Sequence, residues 1–458
     1  MVGAGCSVTA GIPTAQGFVD EIRRRYPEAF AAAEVKTYAK CMAQLSLSER
    51  RDLIAKYVDS AKINWAHICI AQLMRYGYVD RVLTTNFDPL VVRGCALLDL
   101  FPAVYDFAAS QLYKSADVPQ QAVIYLHGQR TGFVLLNTEE ECANHSTLLA
   151  PVFDDAARGR IWLVAGYSGE NDPVFDHLAG VERFDNNLYW VIYRNCEPPP
   201  HVRDRLLVRG KDAYWIGGYD ADSFFVALTQ KLGCFPPDFV GDPFTYLDRI
   251  LGKISDYVLP DEGVEFRVID RARALIQIAI QQSRSDATEP LSKLLEARKF
   301  FMAGDYERVL GLYPGDATKI PPGAVDYVAW AYAKQAKSLI KRAELTTSEG
   351  SGLLVRQAAE RYRVALRVKP ESYEILHDWG QALHVLAKTK MDAGTDGLFE
   401  QAREKYEQAL KLQPGYEGAL RDWGLALADQ VKGRSLADAA ELLARAGESL
   451  AAALKRKS

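Results

Sequence analysis

Four short polar segments occur in order along the first half of this chain: Gly3-Ala4-Gly5-Cys6-Ser7, Thr84-Thr85-Asn86-Phe87-Asp88, His127-Gly128 and Gly166-Tyr167-Ser168-Gly169. Each reads as the carboxyl end of a buried strand. The strand candidates are Val82-Leu83, Val123 to Leu126, Ile161 to Val164, Leu188 to Tyr193 and Tyr214 to Ile216. Uninterrupted apolar runs mark strands buried on both faces, as in a parallel sheet covered by helices. The stretch His67 to Tyr76 reads as a helix feeding the strand at Val82. Asp220 to Leu232 reads as the helix after the last strand, with Phe224, Phe225 and Leu228 on one face. In such an open sheet, ligands bind in the crevice beyond the carboxyl ends of the strands. Four polar, glycine-marked segments aimed at one crevice predict a nucleotide site carrying an Asn and a His.

At 458 residues the chain exceeds one ordinary core, so two or three domains are expected. Its 55 basic and 59 acidic residues leave a net charge of −4, which gives no bulk attraction to nucleic acid or anionic membrane. No apolar stretch is long enough to span a bilayer and no secretory signal is present, so a cytoplasmic protein is expected. The seven cysteines are scattered, no two within five residues. That spacing excludes a Cys-x-x-Cys zinc knuckle and argues against a disulfide framework. Cys6, beside the glycine loop, reads as a space-filling residue, and His67 as a packing or surface residue.

Beyond about Cys234 the texture turns helical, and its last part repeats. Asp378-Trp379-Gly380 returns as Asp422-Trp423-Gly424, and Tyr362, Ala365, Leu366 and Pro370 return as Tyr406, Ala409, Leu410 and Pro414. Every offset is 44. The pattern resembles the tetratricopeptide repeat, whose period is about 34, with the extra length assigned to Lys388 to Gly397. A weaker copy runs from Leu295 to Leu312, and Leu436 to Leu454 reads as a capping helix. Ser283 to Pro290 reads as a linker. Stacked helix pairs form a solenoid whose concave face suits a protein partner or self-association. The expected organisation is therefore a Rossmann-like α/β domain over 1–233, a helical connector over 234–289 and an all-α repeat domain over 290–458.

Gly3 and Gly5 permit close backbone approach, and backbone N–H groups at such a turn suit a pyrophosphate. Gly11-Ile12-Pro13-Thr14 leads to a helix with Thr14 as its cap. Asn86 and Asp88 can be simple strand-end turn formers. Alternatively, the Asn86 amide holds a ribose hydroxyl or a water. His127, followed by a glycine, has the chemistry of a general base.

The ordered set resembles the sirtuin family over roughly residues 1–230. That resemblance implies NAD as substrate, with Gly3, Ala4, Gly5 and Ser7 at the pyrophosphate. It implies Asn86 at the ribose or attacking water, Asp88 at the nicotinamide amide and His127 as base. Gly166 and Ser168 would contact the adenosine half. The departures set the subtype. The zinc ribbon of the protein deacylases is missing, Thr85 stands where Gln is usual, and Ala15-Gln16-Gly17 replaces an Arg-containing stretch. With no zinc expected, the chain resembles the sirtuin-like NAD hydrolases of bacterial anti-phage defence, the repeats serving as sensor or assembly domain. The alternatives are a protein deacylase or ADP-ribosyltransferase, and a non-catalytic adaptor that binds NAD or ADP-ribose. Met1 nearly abuts Gly3, so the first parallel strand is expected to be truncated.

Overall fold

The computed structural model describes residues 1–109, 114, 118–132, 134–194, 196–259, 266–284, 289–314, 320–346, 348–389 and 395–430. The chain divides into two compact units, Met1–Ser255 and Asp256–Ser458. The first is a parallel α/β unit and the second is all but wholly helical.

Among the described residues six strands build the first unit: β1 (Arg81–Thr84), β2 (Ala103–Asp106), β3 (Ala122–Tyr125), β4 (Trp162–Val164), β5 (Leu188–Tyr193) and β6 (Ala213–Tyr219). They form two parallel triplets, β1-β3-β2 and β4-β5-β6. Met1 to Gly3 lies between the triplets and joins them. Val2 bridges Thr84 on one side and Ala165 on the other, both in parallel register. Val2 N–H donates to Leu83 O (2.9 Å) and Val2 O accepts from Thr85 N (3.3 Å). On the opposite edge Gly3 N–H donates to Ala165 O and Met1 O accepts from Ala165 N, each at 3.1 Å. Met1 to Gly3 thus pairs on both edges as the central element of the sheet, giving the order β2-β3-β1-Val2-β4-β5-β6.

The five strands read from apolar runs are present. β2 is the addition, an edge strand whose residues are half-buried or exposed. The interior strands bury their side chains on both faces: Ala122 to Leu126 are all 1% exposed or less, and Trp190 is 1% exposed. Full burial of each large apolar side chain is worth about 1.5–3 kcal/mol. The helix Trp65–Arg75 begins at Asn64, whose side chain accepts from His67 N, and buries every residue from Ala66 to Met74. It packs against the helices Leu90–Ala96 and Ala221–Lys231, which explains its near-continuous apolar sequence. Thr14 caps the helix Ala15–Arg25 by accepting from Gly17 N, as its position suggests. That helix packs with later ones through Phe18, Ile22, Met42, Leu53 and Ile54.

In the second unit, helix pairs run Glu289–Met302 with Tyr306–Leu312, Val325–Glu344 with Ser348–Val368, and Tyr373–Thr389 with Thr395–Leu412, followed by Glu417–Gln430. The expected capping helix Leu436 to Leu454 lies outside the described residues, as do 390–394 of the expected insertion and 285–288 of the expected linker. The 44-residue spacing has a physical basis. Tyr362 and Tyr406 are both fully buried, as are Ala365 and Ala409. A Cβ on Gly380 would lie 2.8 Å from the Tyr406 ring, so the glycine after Trp379 makes room for the tyrosine of the following copy. The Tyr362 ring stacks on Trp379 with centroids 5.1 Å apart.

The two tyrosines differ at the hydroxyl. Tyr362 donates to Asp378 Oδ2 (3.0 Å), which also holds Lys337 through its other oxygen (2.6 Å). The Tyr406 hydroxyl is buried without a partner among the described residues. Removing a satisfied buried hydroxyl costs about 1–2 kcal/mol, whereas removing an unsatisfied one relieves a desolvation penalty. Urea unfolding of the full chain should therefore show Tyr362→Phe destabilised by about that amount and Tyr406→Phe unchanged or stabilised. Equal losses in both variants would contradict this account.

Candidate functional site

The joining of the two triplets by Val2 fixes where the site can be. The chain leaves the sheet at Gly3, between strands whose connections run off in opposite directions, and such a switch point opens a crevice. Gly3 to Ser7 turns there through a single 3-10 turn, Ala4–Cys6. This turn packs directly on the segment after β4. Gly5 N–H donates to Gly166 O at 2.7 Å. A Cβ on Gly3 would lie 2.8 Å from Gly166 O, and one on Gly5 would lie 2.8 Å from Gly166 Cα. Gly166 has φ +65°, and a Cβ there would collide with the backbone nitrogen of Cys6. The three glycines therefore serve the close approach of two protein backbones to one another. The N–H groups of Gly3, Gly5, Cys6 and Ser7 donate to Ala165 O, Gly166 O, Gly3 O and Ala4 O respectively. Cys6 fills the space beneath: it is fully buried, and its thiol, donating to Ala165 O, is pushed up to about 12 by burial.

Asn86 sits just past β1 and faces this turn. Its Nδ2 donates to Gly3 O and to Ser7 Oγ, both at 3.1 Å. Its backbone N–H is held by Thr84 Oγ1 at 3.0 Å. Gly3 O can only accept, so the amide orientation is set by chemistry: the NH2 group faces the turn and Oδ1 is the end left for another partner. Ser7 completes the relay. It accepts from Asn86 and donates to Asp88 Oδ2 at 2.8 Å. Asp88 is 5% exposed, and its Oδ1 accepts from Leu90 N at 3.0 Å, at the start of the next helix. Tyr125 of β3 donates its hydroxyl to Asp88 O at 3.0 Å.

The relay extends to a residue that sequence reasoning set aside. His67 is fully buried, with Nε2 3.5 Å from Ser7 Oγ and Nδ1 2.5 Å from Asn64 Oδ1. Burial holds its pKa below the ordinary histidine value, against the pull of Asp88 and Asp222. Asn64 in turn donates to Cys6 O and Thr9 Oγ1, each at 2.7 Å, and Thr9 donates to Asp222. Asp222 also accepts from Ala66 N at 2.7 Å. This network ties the glycine turn to two helices. Its one legible signal was the Asn at the helix start, three residues before His67; the other partners are more than fifty residues apart in sequence.

His127 follows the neighbouring strand. β1 and β3 pair Thr84 with Tyr125, so Asn86 and His127 each lie two residues beyond the last pair. Its Nε2 lies 3.4 Å from Asp172 Oδ1, and the two side chains are 12% and 14% exposed. Gly128, at φ +96°, lets the chain turn closely against Val134 O. Asp172 also accepts from Val174 N at 3.0 Å. Burial opposes its charge, yet its carboxyl sits below the ordinary range because the contacts with His127, the Val174 N–H and Tyr167 together outweigh burial. His145 is close enough for its pKa to be lowered, first by burial and then by His127.

Gly3, Gly5, Ser7, Asn86, Asp88 and Gly166 are thus brought into one bonded cluster, with Ala4 in the same turn. Ser168 stands apart on the surface. Its Oγ accepts from Glu170 N (3.4 Å), and its carbonyl accepts from His201 Nε2 (2.9 Å). A cavity of about 250 Å³ opens beside Phe87 and is lined also by Asp59, Arg93, Gln129 and Arg130. Among the described residues no group of three His, Cys, Asp or Glu side chains can hold a metal ion, and no helix is long and apolar enough to cross a membrane.

Comparison with solved structures returns a Sir2 mutant with a p53 peptide and NAD, 18% identical, with a TM-score of 0.29. The match covers 51% of this chain and 91% of that one. No protein-family model and no curated protein matches the chain.

The mutual approach of the glycines carries a direct consequence. Gly166→Ala places a side chain in a left-handed conformation and against the Cys6 backbone, which should cost about 2 kcal/mol or more. Gly159, also at positive φ (+67°) but with nothing within 4 Å of an added Cβ, isolates the backbone term. Thermal unfolding should show Gly166→Ala losing clearly more stability than Gly159→Ala.

Proposed function

We propose that the first unit is a sirtuin-like domain that binds NAD across the switch point and hydrolyses it to nicotinamide and ADP-ribose. The observation that carries this reading is the Asn86 amide. Its NH2 is committed to Gly3 O and Ser7 Oγ, which leaves Oδ1 to accept from a ribose hydroxyl or a water. A side chain held in this way needs no reorganisation when the reaction occurs. In the proposed reaction the bond between nicotinamide and ribose breaks through an oxocarbenium-like transition state, as in glycoside cleavage. Water adds to the ribose carbon, His127 takes the proton and nicotinamide leaves. The residues 1–233 would form this domain, with Gly3, Ala4, Gly5, Ser7, Asp88, Gly166 and Ser168 lining the dinucleotide path. The Gly3, Gly5, Cys6 and Ser7 N–H groups already have partners, so a pyrophosphate would depend on other donors or on a shift of the turn.

The region 290–458 would be a tetratricopeptide-like array that senses a protein partner or self-associates, joined by the connector 234–289. On this reading the chain is an effector of the bacterial anti-phage type. An effector that destroyed NAD continuously would be toxic, so its activity would await a trigger. The same satisfied N–H groups favour one second reading, a non-catalytic adaptor that holds NAD or ADP-ribose.

The test is nicotinamide release from NAD by the full chain. Asn86→Asp keeps the shape but turns an oxygen toward Gly3 O, so it should lose about 100-fold or more in rate, as should His127→Ala. Circular dichroism should show both variants folded. Release unchanged in both would remove the assignment. A parent chain that binds NAD and releases nothing, with candidate partners added, would favour the adaptor.

A further inference from the structure

Asp172 was not singled out in the sequence, and neither the glycine turn nor Asn86 uses it. It lies beyond β4 in the segment Gly169-Glu170-Asn171-Asp172, in which Gly169 and Asn171 both adopt positive φ. A Cβ on Gly169 would strike the Phe175 ring at 2.7 Å, so the turn is held tightly against the following helix. That packing directs one carboxylate at one imidazole. Asp172 Oδ1 lies 3.4 Å from His127 Nε2. The Nε2 atom is buried and has no hydrogen-bond partner among the described residues. A closure of about 0.3 Å brings the pair into hydrogen-bond range.

We propose that Asp172 is the positioning residue for His127: it accepts a hydrogen bond from Nε2–H, fixes the tautomer and leaves Nδ1 as the basic atom. This rests on the reading of His127 as the base. The donor logic is strict. A carboxylate can only accept, so the ring nitrogen beside it carries the hydrogen and the lone pair of the neutral ring is on the other nitrogen. When Nδ1 takes a proton from water, the imidazolium keeps its Nε2–H toward Asp172, the carboxylate stays ionised, and the Nδ1 proton later leaves to solvent. The ionised partner stabilises the charged ring at the moment it forms. Asp172 is suited to this because its own carboxyl is held below the ordinary range, with His127, the Val174 N–H and Tyr167 together outweighing burial. The other titratable groups facing the pair are His145 and Cys142 of the helix Glu139–Ser146, and Tyr167 after β4. Burial raises the thiol of Cys142 to about 12 and raises the Tyr167 hydroxyl well above its ordinary value, so both stay neutral. His145 is lowered by burial and by His127, which leaves Asp172 as the anionic partner.

Two measurements separate this proposal from the functional reading beneath it. In nicotinamide release, Asp172→Asn should lower kcat about 100-fold with KM for NAD little changed. The acid limb of its pH–rate profile should move to lower pH, because a neutral amide no longer favours the charged ring. Asp172→Glu should regain part of the rate. A fall in kcat with the acid limb unmoved and no rescue by Glu would mean a structural role and overturn the proposal. Independently of turnover, nitrogen-resolved NMR of the histidine rings in the full chain, with His127→Gln as the assignment control, should show His127 protonated at Nε2. That preference should weaken in Asp172→Asn. A His127 ring protonated at Nδ1 in the parent overturns the proposal even if NAD is never cleaved, and Nε2 protonation in an inactive chain leaves it standing while the functional reading falls.

Discussion

Everything in the first unit hangs on the backbone bonds that Met1, Val2 and Gly3 make to the strands on either side of them. Two three-stranded sheets with exposed inner edges would each present unpaired N–H and C=O groups, which is costly in an interior. A few residues of chain satisfy both edges at once, through Leu83 and Thr85 on one side and Ala165 on the other. Just past these bonds the chain turns away from the sheet, at Ala4–Cys6. The glycine turn therefore lies directly over the switch point, within hydrogen-bond reach of Asn86. The position of the candidate site is a consequence of how the sheet is joined.

The two polar centres of that site are built differently. Asn86, Ser7 and Asp88 form a chain of bonds: the amide donates to Gly3 O and Ser7 Oγ, and Ser7 donates to the carboxylate. The network continues through His67 and Asn64 into helices that pack the sheet, and low local polarity makes such a satisfied network stiff. His127 has a looser arrangement. It contacts a carboxylate from another loop at a distance longer than a hydrogen bond, and its Nε2 is unsatisfied. Rigid orientation of the amide and adjustable contact at the imidazole suit a group that orients and a group that exchanges protons.

Much of this was legible in the residues. Strands buried on both faces announce themselves as continuous apolar runs, and β1, β3, β4, β5 and β6 were read that way. β2 was not, since an edge strand with half-exposed side chains such as Val104 carries no such run. Thr14 was read as a cap because cap chemistry is local, and Asp220, read as the start of a helix from its apolar spacing, also proves to be a cap. The 44-residue spacing was visible because Tyr362 and Tyr406 occupy equivalent buried positions. What could not be read were contacts between distant segments. Nothing near His67 in sequence points to Ser7, and nothing near Asp172 points to His127. The glycines were legible as close-approach residues, but their closest neighbour is another part of the same protein, which composition and spacing do not distinguish from a ligand.

That last feature bears on how such a chain can change over time. Gly3, Gly5 and Gly166 compete for one small volume, so the two loops behave as interlocking parts with no slack between them. A side chain gained at any of the three cannot be offset by trimming a neighbouring side chain alone, because each would also strike backbone atoms. Relief would require the backbone of one loop to withdraw, and the Ser168 turn is continuous with Gly166. Drift in the first loop is thereby coupled to drift in the fourth, and the two ends of the crevice must diversify together or not at all.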